Sequence, residues 1–234
     1  MNQREKLLEF LTGFISDNKK SLFQKNIEQR TKYMTVVLED IFQSHNASAV
    51  MRSCDCFGIQ DIHVIENENE YLINPDVAMG STKWITLKKY NAEKNNTLNC
   101  IRTLKKEGYR IVGTTPHSKS CALEDFDIAK GKFDLVFGSE EPGLSKIAME
   151  ECDEFINIPM FGFTESFNIS VSAAICLHHL KWKINSSETL YKLTTSEKTE
   201  ILIEWTKQVL KRPDLLEKEF YKMNDDKIDN SKFI

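Results

Sequence analysis

Small polar residues occupy a junction where ordinary packing would place large apolar side chains. Ser166, Asn168 and Ser170 lie within the segment 158–178, and Gly162 breaks regular structure just before them. Such a loop leaves backbone N–H and C=O groups free to hold a planar, polar ligand such as a nucleobase. The pattern predicts a binding loop followed by a helix. A strand, a loop and a buried helix without any ligand is the simpler alternative.

An asparagine and an arginine stand six residues apart in a predicted helix further upstream. An apolar strand ends at Glu39, and a helical run that Gly58 closes begins near Asn46, which is therefore expected at the N-cap. Arg52 interrupts the apolar stripe of this run with a long cation, and such a cation is rarely buried without an anion. Arg52 is thus a candidate for binding an anionic group, with an ordinary surface arginine as the alternative.

Two glutamates follow a third apolar segment. Gly138 ends a strand of buried type, Glu140 and Glu141 come next, and Pro142 and Gly143 form a turn before another helix. Carboxylates at the carboxyl end of a buried strand lie where open α/β sheets bind ligands. Either glutamate could instead be a solvated turn residue; we expect Glu140 to belong to the site and Glu141 to be such a turn residue.

The elements that position these residues alternate between strand and helix, which predicts an α/β fold with a parallel sheet covered by helices on both faces. Strands are predicted near 34–38, 60–65, 84–88, 110–115, 133–137 and 154–158, and helices near 46–57, 93–107, 144–151 and 169–183. Amphipathic runs at 3–30 and 196–212, the second ended by Pro213, predict helical extensions. The expected division is 1–32, 33–184 and 185–234.

Composition favours an enzyme that works inside the cell. The 234 residues are 41% apolar, enough for one sizeable core, but no stretch approaches a membrane span and the N-terminus is too charged for a secretory signal. The six cysteines lack paired spacing, which indicates reduced thiols. Cys54 with Cys56, or His178 with His179, is the weak alternative of a metal site; we expect no metal.

The net charge of −4 conceals a strong segregation of charge along the chain. Basic pairs occur at Lys19–Lys20, Lys88–Lys89 and Lys105–Lys106, whereas residues 39–76 and 134–155 are strongly acidic. Cation–phosphate contacts supply most sequence-independent affinity for nucleic acid, so these basic stretches are candidate RNA contacts. A solvated charged face is the alternative for each of them.

In order and spacing, the three segments resemble the motifs of the SpoU family of RNA ribose 2′-O-methyltransferases, which belongs to the SPOUT superfamily. Asn46 with Arg52 resembles the first motif, and Gly138, Ser139 and Glu140 with Gly143 the second. Ile158-Pro159-Met160 with Ser166, Asn168 and Ser170 resembles the third motif, so the resemblance spans about residues 36–181. HNASAVMRSCDCFGI and GSTKWITL are most similar to TrmH-like members, which methylate guanosine-18 in the tRNA D-loop.

This resemblance implies features that the alternation of elements does not. They are a deep C-terminal trefoil knot, S-adenosyl-L-methionine as methyl donor, tRNA as substrate, a homodimer packed through the helix after the third motif, and a cytoplasmic location. From the pattern alone, an ordinary doubly wound fold would be expected, because threaded chains are rare. The sequence departs from the family at Phe167, where leucine is usual, and at Phe161 and Phe163, which make the third-motif loop unusually aromatic.

The resemblance also implies roles for individual residues. The residues implied in catalysis are Arg52, Asn46, Glu140, Ser166 and Asn168. Because a guanidinium stays protonated, Arg52 would stabilise a developing oxyanion and anchor phosphate rather than act as a base. Asn46 would orient Arg52 or the ribose, and Glu140 would hold the arginine or the 2′-hydroxyl. Those implied in cofactor binding, mainly through backbone atoms, are Thr114, Gly138, Ile158, Met160, Phe167 and Asn168.

Other functions remain open at this point. A SpoU enzyme acting on ribosomal RNA or on another tRNA position would share the same chemistry. A non-catalytic RNA-binding homologue would keep the fold, although the presence of Arg52, Asn46, Glu140 and Asn168 argues against it. A nucleotide-binding α/β enzyme outside the family is disfavoured because no Gly-rich phosphate loop of the GxGxxG or GxxxxGK[ST] type occurs.

Overall fold

A parallel sheet organises the central part of the chain. The computed structural model describes residues 1–72, 74–116, 120–139 and 141–230, with side chains up to residue 223. The described strands are β1 (Met34–Glu39), β2 (Asp61–Ile65), β3 (Thr86–Tyr90), β4 (Arg110–Thr114), β5 (Cys121–Ala122), β6 (Phe133–Phe137) and β7 (Glu154–Asn157). The α-helices are α1 (Gln3–Thr12), α2 (Asp17–Ile27), α3 (Ser44–Cys56), α4 (Pro75–Ala78), α5 (Asn96–Lys106), α6 (Lys146–Glu151), α7 (Ile169–Asn185), α8 (Thr195–Val209) and α9 (Pro213–Asn230).

Every pairing in the described sheet is parallel, in the order β3-β2-β1-β6-β4-β7-β5. At the centre, Val36 of β1 is in register with Ile62 of β2 and with Leu135 of β6. Parallel strands that are covered on both sides favour such β-branched and aliphatic residues. Because all strands run the same way, their carboxyl ends meet at one edge of the sheet, where α/β proteins bind ligands.

Helices cover both faces, as the alternation predicts. Successive side chains of a strand point to opposite faces, so Val36 and Val37 enter different cores. Val36 packs in the core that contains Val50 of α3 and Leu177 of α7. Val37 packs in the second core, which contains Leu104 of α5 and Ala148 of α6. The predicted α/β fold is confirmed, while the knot stays a prediction.

The chain divides into two compact units, Arg30–Lys192 and a unit that combines Met1–Gln29 with Leu193–Ile234. In the second unit, α1, α8 and α9 pack around an apolar core of Leu7, Leu11, Ile203 and Phe220, and α2 packs on α8. The amphipathic run predicted over 3–30 forms two helices, because α1 ends at Thr12, with Gly13 as its C-cap, and α2 begins at Asp17. The predicted division of the chain into 1–32, 33–184 and 185–234 stays a prediction.

Three local predictions need correction. Helix α3 begins at Ser44 with Gln43 at its N-cap, so Asn46 lies in the first turn rather than at the cap. Strand β3 starts at Thr86, because Ser81–Lys83 forms a 3₁₀ turn ahead of it. Helix α8 ends at Val209 rather than at 212, and Pro213 occupies the first position of α9, where its fixed φ suits a helix start.

The described residues add three facts on thiols, metals and membranes. All six cysteines carry free thiols. No group of three or more His, Cys, Asp or Glu side chains in the described part of the chain is arranged to hold a metal ion. None of the described helices has the length and apolar character that crossing a bilayer requires.

A buried carboxylate lies in the second core, on β6. Asp134 is fully buried, and its Oδ1 accepts a hydrogen bond from Thr35 on the neighbouring strand β1. Burial raises the pKa of Asp134 to about 7; Thr35 opposes the shift, Asp61 and Glu107 reinforce it, and Lys88 opposes it. Because the folded-state pKa lies above the ordinary value of 3.8, this group favours folding at low pH. That contribution is lost as the pH rises through about 7.

Asp134→Asn should remove this titration and stabilise the protein above neutral pH. Relative to the wild type, the free energy of unfolding of the variant should increase by on the order of 1–3 kcal/mol between about pH 5 and pH 8. Denaturant unfolding at the two pH values measures this difference. Asp17→Asn is the matched control, because its side chain is 97% exposed and should show no such change. Equal effects of pH on the stability of both variants would contradict the raised pKa assigned to Asp134.

Candidate active site

A cavity of about 560 Å³ opens at the carboxyl ends of β4, β6 and β7. The first residues after these strands form its walls, together with the loop that leads into α6 and the loop that leads into α7. The described lining residues are Thr114, Thr115, Pro116, Phe137, Gly138, Ser139, Glu141, Pro142, Gly143, Leu144, Met149, Ile156, Asn157, Ile158, Met160, Glu165, Ser166, Phe167, Ile169, Ser172 and Cys176. Its size and position are those of a small-molecule site in an α/β protein.

Gly138 allows the loop after β6 to fold back on itself. A Cβ atom placed at Gly138 would lie 2.3 Å from the carbonyl carbon and oxygen of Gly143 and 2.4 Å from the backbone nitrogen of Leu144. No side chain fits at such distances. Gly143 itself has φ of +86°, a conformation that suits glycine. The two glycines therefore shape the wall that the loop from Gly138 to Leu144 contributes to the cavity.

Most residues predicted to bind the cofactor lie around this cavity. Thr114, Gly138, Ile158, Met160 and Phe167 all line it, and so does Ser166, which the sequence placed among the catalytic residues. The Thr114 hydroxyl donates to the Val136 carbonyl at 3.0 Å, which ties the end of β4 to β6. These are positions in the structure; the binding roles stay predictions.

Asn168 connects the third motif to the first. It forms the N-cap of α7, and its Oδ1 accepts hydrogen bonds from the Ser170 N–H at 2.9 Å and the Ser170 hydroxyl at 2.6 Å. Its Nδ2 donates to Asn46 Oδ1 at 3.2 Å, and Asn46 in turn donates to Gln43 at 3.1 Å. Asn168 and Asn46 are thus brought together beside the cavity loop, although neither lines the cavity.

Arg52 is separated from that pair. Its side chain is exposed on α3, and it is not among the described residues that line the cavity. At about 100° and 1.5 Å per residue, Arg52 lies about 120° around the helix and about 9 Å along it from Asn46. The six-residue spacing therefore does not place the two side chains on one helix face. Glu140 lies outside the described residues.

Two acidic residues in the cavity were not predicted as part of the site. Glu141, which the sequence suggested was only a solvated turn residue, is exposed and lines the cavity, as does Glu165. They are the charged side chains among the described lining residues. The position of Glu165 one residue before Ser166 could have drawn attention to it. Cys176 also lines the cavity, where burial raises the pKa of its thiol to about 12, so it acts as an apolar packing group.

This donor set fits S-adenosylmethionine better than a phosphorylated nucleotide. The cofactor carries a sulfonium and an ammonium group, and both would be favoured near Glu141 and Glu165. Phosphates would be repelled by the same carboxylates. Apolar side chains of Leu144, Ile158 and Met160 offer contact for a purine.

The loop beyond Met160 carries two exposed aromatic residues. Phe161 and Phe163 are almost completely exposed on either side of Gly162, while Met160 before them and Glu165 after them line the cavity. The unusual aromatic character of this loop therefore lies outside the cavity walls.

Gly138→Ala should disrupt the loop, because the new methyl group would overlap the Gly143 backbone. We expect a decrease of about 1–3 kcal/mol in the free energy of unfolding, typical of overpacking. Gly162→Ala is the matched control, since a Cβ there meets no atom closer than 4.0 Å. Denaturant unfolding distinguishes the two variants. Equal stability of Gly138→Ala and the wild type would show that the loop does not need the close approach.

Comparison with known proteins identifies the family. A profile of the SpoU rRNA Methylase family matches residues 33–178. The tRNA (guanosine(18)-2′-O)-methyltransferase of Borreliella burgdorferi is 42% identical over 212 residues, which cover 91% of this chain and 95% of that protein. The enzyme of the same name from Aquifex aeolicus is 30% identical over 183 residues, 76% of this chain and 84% of that one.

Solved structures agree with this match. The structure of the A. aeolicus TrmH/SpoU tRNA modifying enzyme superposes with a TM-score of 0.72 at 27% identity, over 83% of this chain and 98% of that one. The SpoU methyltransferase AviRb from Streptomyces viridochromogenes in complex with AdoMet shares the fold, with a TM-score of 0.57 at 22% identity over 70% of this chain and 62% of that one. The chain therefore belongs to the SpoU methylase family.

Proposed function

We propose that the protein is a tRNA (guanosine-18-2′-O)-methyltransferase that uses S-adenosyl-L-methionine. The observation that carries the proposal is the 42% identity, over nearly the full length of both chains, to an enzyme of that name. The acidic cavity at the sheet edge supports it, because the cavity suits a cationic methyl donor. A substrate tRNA would place the reaction in the cytoplasm.

The cavity residues would hold the methyl donor, and the first and third motifs would position the RNA. The backbone near Thr114, Gly138, Ile158, Met160 and Phe167 would surround the adenosine, as their position in the cavity walls supports. When bound, S-adenosylmethionine supplies an electrophilic methyl group on a positively charged sulfur.

Arg52 and the two asparagines would act on the ribose side. The 2′-hydroxyl is a weak acid, so its oxygen gains negative charge as it becomes a nucleophile. The Arg52 guanidinium, which remains protonated, would stabilise that charge and bind an adjacent RNA phosphate. Asn168 and Ser166 would fix the ribose or the methyl donor, while Asn46, linked to Asn168 at 3.2 Å, would hold the first motif against the third. Glu140 would hold the arginine or the hydroxyl.

Transfer of a labelled methyl group to unmodified tRNA, followed by mapping of the modified ribose, tests the function. The expected product carries one 2′-O-methyl group at the D-loop guanosine. Methylation of ribosomal RNA or of another tRNA position would show that the enzyme carries out the same reaction on a different substrate. Cofactor binding without transfer to any RNA would indicate a non-catalytic homologue.

We further propose that the protein is a homodimer, supported by an unusual surface on α7. Val171 and Trp182 are 44% and 70% exposed, and Ala174 and Ile175 between them are only half-buried, although all four are apolar. Leu177 and Leu180 on the same helix are instead buried in the core of the protein's own chain. The exposed stripe on one helix face suits a second copy.

Sedimentation at micromolar concentration should give twice the chain mass of 27.1 kDa. Trp182→Glu should shift the equilibrium toward monomer, because a charge at an apolar interface is costly. A monomeric wild type would contradict the proposal.

Arg52→Ala should abolish methyl transfer while the Kd for S-adenosylmethionine changes less than about threefold. The reason is that Arg52 is exposed on α3 and does not line the cavity. Calorimetric titration measures the Kd, and a filter assay with tRNA measures transfer.

Arg102→Ala is the matched control for this variant, because Arg102 is an exposed arginine on α5, the helix that packs on the second core. It should retain activity. Loss of cofactor binding in Arg52→Ala would overturn the role assigned to Arg52.

A further inference from the structure

Glu39 is a buried acidic residue that none of the motifs includes. It is the last residue of β1 and is 2% exposed. The register of β1 and β6 ends with Leu38 opposite Phe137. Glu39 therefore lies beside Gly138, the first residue after β6, at the point where the cavity loop begins.

The Glu39 carboxylate binds the other end of that loop. Its Oε2 accepts a hydrogen bond from the Ser145 N–H at 2.9 Å, and its Oε1 accepts one from the Ser145 hydroxyl at 2.6 Å. Ser145 also forms the N-cap of α6 and immediately follows Gly143 and Leu144, which line the cavity. Because the loop is folded tightly against Gly138, holding Ser145 fixes the returning half of the cavity wall.

Glu39 makes one further contact, directed away from the cavity. Its Oε1 accepts a hydrogen bond from the Thr97 hydroxyl on α5 at 2.7 Å. A buried carboxylate that accepts hydrogen bonds from three donors holds those donors in place. Loss of the carboxylate would leave the buried donors without an acceptor. The contact with Ser145 and the contact with Thr97 can therefore be tested separately, each by its own substitution.

We propose that Glu39 is a positioning residue for the methyl-donor site: through Ser145, it fixes the loop wall at Gly143 and Leu144 and so sets the affinity for S-adenosylmethionine. This rests on the proposed function of the cavity. Glu39 is not among the described residues that line the cavity, so its effect on cofactor binding would pass through Ser145.

Glu39→Gln preserves the volume of the side chain but replaces one acceptor oxygen with an NH₂ group. That change leaves at least one of the three donors without its acceptor. We expect the Kd for S-adenosylmethionine to rise at least tenfold, with the Kd for tRNA unchanged. Ser145→Ala, which removes the hydroxyl contact and keeps Glu39, should weaken cofactor binding as well. Because the Ser145 hydroxyl also caps α6, the double variant should lose some further affinity, but less than the sum of the two single losses.

Thr97→Val is the matched control. It removes the contact on the α5 side of the same carboxylate, so it should lower the free energy of unfolding and leave the cofactor Kd within about twofold. Equal loss of cofactor affinity in Thr97→Val and Glu39→Gln would reduce Glu39 to a general structural role and overturn the proposal. Wild-type affinity in Glu39→Gln would also overturn it.

Two further outcomes separate this proposal from the proposed function. If Glu39→Gln does not fold, Ser145→Ala decides, because wild-type cofactor affinity in that variant contradicts the proposal. If the wild-type protein fails to bind S-adenosylmethionine at all, the function assigned to the cavity fails, independently of Glu39.

Discussion

The site depends on how closely the loop after β6 can approach its own backbone. At Gly138 there is no room for a single carbon atom beyond the main chain, because Gly143 and Leu144 lie against it. This contact turns the chain back across the carboxyl edge of the sheet and creates one wall of the cavity. The other walls come from the ends of β4 and β7 and from the loop before α7, which parallel strand order brings to the same edge.

Charge divides the proposed work of the site between two regions. The described charged residues of the cavity are acidic, which suits a cationic methyl donor, whereas Arg52 lies exposed on α3 and suits an RNA phosphate. The Asn46–Asn168 hydrogen bond joins the helix that carries Arg52 to the loop that borders the cavity. The overall negative charge of the chain is therefore compatible with an RNA substrate, because the sign of the local charge matters at each surface.

Much of this arrangement could be predicted from the sequence. Buried strands are evident in the sequence as short apolar runs, and the motif order of a known family pointed to Gly138, Ser166 and Phe167, which all line one cavity. The start of α3 was wrong, since Asn46 is a good capping residue but the polar stretch before it continues the helix by two residues.

Contacts between residues far apart in the chain were not predictable in this way. Glu39 and Ser145 are 106 residues apart, and only the pairing of β1 with β6 brings them together. The acidic character of the cavity likewise depends on two loops that meet in three dimensions. The separation of Arg52 from Asn46 follows from helix geometry that a linear spacing conceals.

The function proposed here requires the cavity at the ends of β4, β6 and β7 to bind the methyl donor. A crystal structure of the protein with S-adenosylhomocysteine, the product of methyl transfer, would show whether it does. We expect the adenosine between Gly138 and Ile158, with the amino group of the ligand near Glu141 or Glu165. Density for the ligand elsewhere on the protein, with this cavity empty, would contradict it.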